Sequence, residues 1–281
     1  MSLNGIFLVD KQSNISSFST ITKLKKKLNI DKIGHAGTLD PFADGLLIVL
    51  VGKATKLSDY LTQDDKSYIA TIGLGKLFDT LDYTGTIIDT KEKQVTEKEV
   101  DIALGKLLLS TTQIPPSYSA KKVNGKVAYK EARKGKPIEL KGSSITIYDL
   151  KRTSPLSDNQ FSIYTRVTKG TYIRSMANDI GVLLGTYGYL MSLRRLSSGE
   201  YNVESSKTIE DIKVEDLIPI EQIFKDSDSY FINSEEEYKK VANGAKLSCD
   251  LTSLIIKVYY GNALIALYER KDGKYVVLLY I

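Results

Sequence analysis

The chain has 281 residues, a formal net charge of +5, one histidine and one cysteine. Its apolar and charged fractions, 42% and 26%, are those of an ordinary globular protein with room for one large and one small domain, or for two of middling size. The lone Cys249 excludes an internal disulfide framework and suits a reducing cytosol, and it leaves too few ligands for a conventional zinc site. No apolar run approaches the roughly 18 residues of a bilayer span, and no basic region precedes an apolar stretch at the N-terminus. We therefore expect a cytoplasmic protein that does not enter a membrane, with a mild positive charge compatible with nucleic acid.

The first elements predicted are a strand and a helix. The apolar run from Ile6 to Val9 indicates a strand, and the Ser16-Ser17 pair is typical of a helix start. Phe18, Ile21, Leu24 and Leu28 then follow at helical spacing. The opposite face carries four lysines between residues 23 and 27, which are either solvated or suited to lie along phosphates.

The stretch from Gly34 to Lys56 is the part of the chain that local folding rules explain least. Four glycines crowd into it, and each costs backbone entropy unless an unusual conformation needs it. Its Asp40 precedes a proline, which steers the aspartate away from helical geometry, and the apolar run from Leu46 to Val51 indicates a buried segment behind the loop. Such a loop can present a reactive carboxylate, although an Asp-Pro pair is also typical of a turn. His35, the only histidine, is by pattern alone a hydrogen-bonded loop residue.

The middle of the chain predicts a strand from Ser67 to Gly75 and a helix from Val95 to Leu109 that opens at Thr96. Tyr68 on that strand would by pattern alone be a core aromatic residue. From residue 121 to residue 142 the chain carries eight Lys or Arg against two Glu, interleaved with Tyr129. This basic segment is either a solvated surface or a contact with a nucleic-acid backbone.

The second half predicts strands over residues 144–150 and 161–167, followed by a helix capped by Thr171. A strand-to-helix junction can direct Arg174 into a cleft, but this arginine could also pair with Asp179 on the surface. A helical tail over residues 209–224, a polar break at 226–230, a helix from Ser234 and three short strands complete the chain. We expect a catalytic domain over 1–224 and a small β-rich domain over 225–281, which is marginal in size unless docked on its neighbour.

Several segments together resemble the TruB family of tRNA pseudouridine synthases. Six blocks occur in the family's order between about Gly5 and Leu196. The segments that carry the resemblance are HAGTLDP (35–41) with GLL (45–47) and GKATK (52–56), KSY (66–68), DTLDYTG (79–85), SAKKVNGKVAYKEARKG (119–135), KGTYIR (169–174) and LRRLS (193–197). Gln12 and Asn14 stand where the family has proline and glycine, and Asn is the next best residue for a left-handed turn.

The resemblance implies an enzyme that isomerises uridine 55 in the T-loop of tRNA. It implies an α+β fold, with a mixed, mostly antiparallel sheet flanked by helices and a small PUA-like C-terminal β domain that binds RNA. Asp40 matches the catalytic aspartate, Arg174 its partner, and Tyr68 the tyrosine that stacks on the target base. His35 would fill the place vacated by that base, and Asp82 would hydrogen-bond near it. Further substrate contacts are expected from Tyr172, Lys11, Lys121, Lys122 and Lys169.

The expected reaction involves no redox change and no external energy, so we expect neither cofactor nor metal. Glycine spacing in the stretch 34–56 does not fit a phosphate loop either, and Lys53 is followed by alanine. The expected partner is the T-arm of tRNA, bound by a monomer without an obligate protein partner.

Three other functions stay open at this point. A non-catalytic RNA-binding or chaperone protein would explain the basic segment and the β-rich C-terminus, but it would not require Asp40, Tyr68 and Arg174 together. A uridine-isomerising enzyme with another RNA target, including one directed by a guide RNA, would share the motifs, although the compact length favours a stand-alone enzyme. Glycoside hydrolysis by Asp40 with Asp44 is chemically conceivable and has no other support in the sequence.

Overall fold

The computed structural model describes residues 3–123, 125–136 and 138–281. Asn124, which belongs to the basic segment quoted above, lies outside the described residues. The helices are α1 (Ser17–Lys27), α2 (Ser58–Leu61), α3 (Glu97–Leu108), α4 (Ala128–Ala132), α5 (Ile173–Leu183), α6 (Ile220–Ile223) and α7 (Glu235–Ala242). The strands are β1 (Gly5–Lys11), β2 (Ile33–Ala36), β3 (Asp44–Val51), β4 (Lys66–Leu74), β5 (Lys76–Phe78), β6 (Ile87–Thr90), β7 (Thr112–Gln113), β8 (Lys122–Val123), β9 (Lys126–Val127), β10 (Ser143–Ser144), β11 (Ile147–Arg152), β12 (Gln160–Val167), β13 (Gly188–Ser198), β14 (Tyr201–Asn202), β15 (Ile218–Pro219), β16 (Ser229–Ile232), β17 (Ile255–Tyr260), β18 (Ala263–Lys271) and β19 (Lys274–Tyr280).

One large sheet organises the chain, in the order β11-β12-β4-β13-β3-β1-β15, with β14 beside β13 and β2 beside β3. Neighbouring strands run antiparallel except β13 and β3, which are parallel and pair only Arg194 with Asp44 and Arg195 with Gly45. The sheet is therefore two antiparallel halves that meet at one short parallel junction. A Cβ at Gly45 would lie 2.3 Å from the Arg195 carbonyl oxygen, so the close approach of the strands requires glycine here.

The sheet buries apolar side chains on both faces, as alternation along β3 shows. Leu47 and Val49 pack with Leu24 of α1 on one face. Leu46 and Ile48 face the opposite side and belong to another core cluster. On the other half of the sheet, a third cluster joins β4, β12 and β13 to α3 and α5. The predicted buried segment of β3 is thus covered from both sides.

The C-terminal sheet, in the order β16-β17-β18-β19, does not stand apart from the rest. Its Ile255, Leu267 and Leu279 lie in the same buried cluster as Leu46 and Ile48 of the large sheet. The C-terminal strands are consequently docked on the large sheet through a shared apolar core, which offsets the small size of the C-terminal module. The division into residues 1–224 and 225–281 stays a prediction.

The α+β class with a mostly antiparallel sheet and a C-terminal strand sheet is confirmed. The helix starts predicted at Ser16 and Thr96 are also confirmed, because the hydroxyl of each accepts a hydrogen bond from a backbone N–H three residues on. Asn14 has a φ of 62°, the left-handed turn expected of it.

Four local predictions were wrong, and in three of them a contact with a distant segment prevailed. Phe18 is 72% exposed and does not join the buried face of α1. Thr171 does not cap α5: its hydroxyl bonds the Thr168 carbonyl, and the helix begins after Tyr172, whose backbone is held by the Gln113 side chain.

The other two errors concern residues 209–224 and the polar break at 226–230. Ile218–Pro219 pairs with β1 as β15, so the expected helical tail is reduced to the short α6 and a 3₁₀ turn at Val214–Asp216. The polar break contains the start of β16, which pairs in parallel with β17. No helix among the described residues has the length and apolar character needed to cross a membrane.

The shared core predicts that the two sheets unfold together. Replacing the fully buried Leu267 with alanine should destabilise the protein by about 2–5 kcal/mol, because it leaves a cavity in that cluster. Chemical denaturation of this variant, followed by circular dichroism and by tyrosine fluorescence, should show a single transition with its midpoint at a lower denaturant concentration. Leu254→Ala, at a position 60% exposed, is the control and should change little. A separate early transition of the C-terminal strands would contradict docking through this core.

Candidate active site

The loop between β2 and β3 carries Asp40 and is fixed by the N-terminal elements. The Ser17 hydroxyl, at the start of α1, donates to the Leu39 carbonyl and accepts from the Leu39 N–H, both at 3.0 Å. The Lys11 ammonium at the end of β1 donates to the Pro41 carbonyl at 3.2 Å. The residues on both sides of Asp40 are therefore held in place, as a reactive side chain requires.

Asp40 and Arg174 form a bidentate ion pair, although 134 residues separate them in the chain. Arg174 Nε lies 3.0 Å from one carboxylate oxygen and Nη2 lies 3.2 Å from the other. The buried guanidinium also donates to the carbonyls of Thr80 and Tyr118, each at 3.0 Å. The alternative pairing of Arg174 with Asp179 is thus wrong. Asp40 keeps 33% of its side chain exposed and so faces an accessible surface.

A second carboxylate, that of Asp82, lies close to this ion pair. Asp82 Oδ2 is 3.6 Å from Arg174 Nη1, and its Oδ1 accepts a hydrogen bond from the Thr84 N–H. Burial, together with the charge of Asp82, raises the pKa of Asp40 above its usual value, while Arg174 and Lys11 oppose the shift. The guanidinium therefore favours the ionised carboxylate, as expected, but does not outweigh burial.

Tyr68 lies on β4 with only 7% of its surface exposed, in the core cluster that also holds Leu39 and Phe42. Tyr68 is the cross-strand partner of Arg195 on β13, and the charges of Arg195 and Asp40 act on its hydroxyl. Burial raises the pKa of Tyr68, and Arg195 opposes that shift. Tyr68 thus belongs to the same interior as Asp40, while its stacking on a base stays a prediction.

His35 is on strand β2 rather than in a loop. Its imidazole Nδ1 is buried and has no hydrogen-bond partner among the residues that the structure describes. The alternative of a hydrogen-bonded loop histidine therefore does not hold for this nitrogen. Burial lowers the pKa of His35, and the positive charge of Arg195 lowers it further. The side chain is therefore a neutral imidazole at neutral pH.

The other residues that were predicted to contact the substrate differ in how deeply they are buried. Tyr172 is half-buried just before α5. Lys121 donates to the Ser143 hydroxyl at 2.6 Å, whereas Lys122 and Lys169 are exposed. Lys11 is fully buried, and its ammonium group donates to three backbone carbonyls, which uses all its donors. The structure gives Lys11 a role in holding the loop; its contact with RNA stays a prediction.

Sequence reasoning missed Lys66 and Arg195 as buried cations of this region. Burial lowers the pKa of Lys66 to about 8, and its ammonium group donates to two backbone carbonyls. Arg195 is only 1% exposed. The available signal was the pair of adjacent arginines on a strand, because alternation turns one of two neighbours inward.

Two solved structures resemble the chain over 98% of its length. A Cbf5-Nop10-Gar1 complex gives a TM-score of 0.71 at 22% identity, with 85% of that chain covered. An H/ACA RNP bound to a substrate RNA that contains 2′-deoxyuridine gives 0.67 at 20% identity, with 83% covered. At such identities the likeness establishes the fold alone.

Sequence comparisons match the chain to a family profile and to enzymes of higher identity. A profile described as "TruB family pseudouridylate synthase (N terminal domain)" matches residues 25–173. The tRNA pseudouridine synthase B of Acholeplasma laidlawii is 42% identical over 277 residues, which cover 97% of this chain and 98% of that protein. The enzyme of the same name from Oenococcus oeni is 35% identical over 286 residues, which cover 97% and 96%.

The fold and these matches define the class of protein as a pseudouridine synthase, which is an isomerase. Within that class, the chain belongs to the TruB family.

The environment of His35 predicts its titration. Because it is the only histidine, its imidazole Hε1 resonance can be followed by proton NMR without assignment. We expect a midpoint below 6.5, since burial and Arg195 both disfavour the imidazolium ion. The same chain unfolded in urea is the control and should titrate at about 6.5. A folded-state midpoint at or above that of the unfolded chain would contradict this electrostatic account.

Proposed function

We propose that this protein isomerises uridine 55 in the T-loop of tRNA to pseudouridine, with Asp40 as the catalytic carboxylate. The observation that carries the proposal is the Asp40–Arg174 ion pair, which lies at the junction of the two half-sheets with the carboxylate partly exposed. Two sequence relatives that match nearly the whole chain are named tRNA pseudouridine synthase B, which supports tRNA as the substrate.

The chemistry fits one oriented carboxylate. The reaction breaks the C–N glycosidic bond, turns the uracil over and joins its C5 to the ribose. The hydrogen on C5 leaves as a proton and N1 takes up a proton, so atoms and charge balance without an added reagent. A carboxylate beside the sugar can act as nucleophile or stabilise positive charge that develops there. Arg174 holds both oxygens of Asp40, which fixes the plane of the carboxylate before the nucleotide arrives.

The target nucleotide must leave the stacked loop before it reaches Asp40. Extraction costs a few kcal/mol, and stacking on an aromatic side chain with contacts to the RNA backbone can offset that cost. Tyr68 is the proposed stacking partner, and Asp82 and Tyr172 complete the surroundings of the base. His35, kept neutral by its environment, is the proposed group that fills the vacated position in the loop.

Exposed basic side chains supply the proposed contacts with RNA. The segment of residues 121–142 follows closely after Tyr118, whose carbonyl accepts a hydrogen bond from Arg174. The exposed Lys122 and Lys169 would neutralise phosphates of the T-arm. We propose that a domain of residues 1–224 catalyses the reaction, that residues 225–281 add a PUA-like RNA-binding domain, and that the protein acts as a monomer in the cytoplasm.

The decisive test removes the charge of Asp40. Asp40→Asn should reduce tritium release from a T-arm stem-loop labelled at uridine C5 by at least about 10⁴-fold, because the neutral amide can neither attack nor stabilise charge. Binding of the stem-loop should persist in a filter assay. The control is Asp44→Asn, which changes a carboxylate on the same chain segment that contacts Arg194 instead, and most turnover should remain. Robust turnover by the Asp40→Asn variant would refute the assignment.

The raised pKa of Asp40 predicts the acid side of the pH–rate profile. The ionised carboxylate is the active form, so kcat/KM should fall as pH decreases through the pKa of Asp40, and the midpoint should lie above the usual 3.8. Because Asp82 raises this pKa, Asp82→Asn should move the midpoint to lower pH. Asp79→Asn in the same turn is the control and should leave it in place. A midpoint that rises in the Asp82→Asn variant would contradict the account.

A further inference from the structure

A cavity of about 580 Å³ lies along α5, on the face of this helix that is turned away from the core. Five residues of that face line the cavity at helical spacing: Ser175, Asn178, Asp179, Val182 and Leu183. The other walls are the turn at Asp79, the end of α3 and the segment 112–117. A cavity of this volume is in the range of small-molecule sites in proteins.

Hydrogen bonds fix the walls of the cavity relative to one another. The Ser175 hydroxyl donates to the Ile114 carbonyl at 2.8 Å, which joins α5 to the segment 112–117. The Tyr118 hydroxyl donates to the Asp79 carboxylate at 3.3 Å, which joins the end of that segment to the turn. The cavity is therefore largely formed before a ligand binds, and preformed walls lower the entropic cost of binding.

The lining of the cavity combines apolar surface with negative charge. Leu107, Pro115 and Leu183 contribute apolar surface, and Asp79 and Asp179 contribute carboxylates. No Lys, Arg or His side chain of the described part of the chain lines the cavity, although the chain as a whole has a net charge of +5. Such a lining disfavours the phosphates of RNA and favours a cation.

The two carboxylates of the cavity differ in their partners. Asp79 accepts hydrogen bonds from the Thr86 N–H at 2.8 Å and from the Tyr118 hydroxyl, so it is occupied in holding the turn. Asp179 is half-buried and makes no hydrogen bond or ion pair with any residue that the structure describes. Burial alone raises the pKa of Asp179 to about 6, so its carboxyl group is still mostly ionised at neutral pH.

A purely structural role for Asp179 has no contact to support it. An ionised carboxylate that is half-buried without a partner opposes folding, because unfolding restores its hydration. A neutral asparagine has nearly the same shape and would avoid this cost, as Asn178 shows on the same face of the helix. The carboxylate of Asp179 is therefore the group of the cavity that is free to bind a ligand.

We propose that this cavity is a binding site for a small organic cation, in which the Asp179 carboxylate binds an ammonium or guanidinium group and the apolar walls cover the carbon skeleton of the ligand. A carboxylate in partly apolar surroundings accepts a strong charge-assisted hydrogen bond from such a group. The inference goes beyond the proposed function and does not depend on it.

The test compares three compounds that share one skeleton and differ in charge: 4-phenylbutylamine, 4-phenylbutanol and 4-phenylbutyrate. Their dissociation constants for the full chain are measured at pH 7.5 by saturation-transfer NMR. We expect the amine to bind at least about tenfold more tightly than the alcohol, because a hydrogen bond to a charged group adds to the apolar contact. The anionic butyrate should bind most weakly.

Asp179→Asn should abolish the preference for the amine and leave the affinity for the alcohol nearly unchanged. The matched control is Asp79→Asn, which removes a carboxylate from the same cavity that already has two hydrogen-bond donors, and most of the preference should remain. Circular dichroism verifies that both variants are folded.

The pH dependence of binding tests the wild-type chain without any substitution. An alkylammonium group stays protonated up to about pH 10, so between pH 4.5 and 8 the ligand does not titrate. Protonation of Asp179 should therefore weaken amine binding by about tenfold per pH unit below pH 6, and binding of the alcohol should not change. Asp79 is the only other titratable side chain that lines the cavity among the described residues.

Equal affinities of the wild-type chain for the amine and the alcohol would overturn the proposal. So would a preference for the amine that survives in Asp179→Asn, or amine binding that is level down to pH 5. None of these measurements uses RNA or turnover, so their failure leaves the proposed function standing, and an enzyme inert on the labelled stem-loop leaves the cation site standing.

Discussion

The site depends on one buried guanidinium, that of Arg174, which contacts the carboxylates of Asp40 and Asp82. Arg174 binds Asp40 through two nitrogens, lies against Asp82 and donates to two backbone carbonyls, at Thr80 and Tyr118. Four chain segments therefore converge on one side chain: the loop before β3, the turn after β5, the residues just before the basic segment, and α5. A buried arginine must satisfy all its donors, so its presence determines how these segments meet.

The junction between the half-sheets explains why side chains have to reinforce this region. Parallel pairing of β3 with β13 contributes only two residue pairs, and the loop that carries Asp40 leads directly into it. Alternation along β13 places Arg194 on one face and Arg195 on the other. Arg194 binds the ends of β1 and β3 through two carboxylates, and Arg195 binds backbone carbonyls of β3 and the loop. Short strand pairing is thus supplemented by charged contacts on both faces.

Local sequence rules predicted the structural features that depend on neighbouring residues. They failed for the features that depend on contacts with distant residues. The Ser16 and Thr96 caps follow from sequence because their partners are three positions away, and the buried β3 follows from its continuous apolar run. The parallel junction has no local signal. Lys11 and Arg195 are buried although their residue types are usually exposed, since carbonyls supplied by other segments satisfy their donors. The resemblance pointed to Asp40 and Arg174, which the structure pairs, but not to the buried Arg195, which donates to carbonyls of β3 and of the loop before it.

Among the described residues, the surroundings of Asp40 carry more buried cations than carboxylates, and this imbalance has a consequence for binding. Lys11, Lys66 and Arg195 surround the loop, and burial lowers the pKa of both lysines to about 8. They therefore remain largely protonated at neutral pH, where their positive charge favours the ionised form of Asp40. The field of these cations acts through a poorly polarisable interior and is screened little by salt, unlike that of exposed lysines. Attraction of an anionic RNA toward Asp40 should accordingly persist at ionic strengths that weaken the contacts proposed for the exposed basic segment.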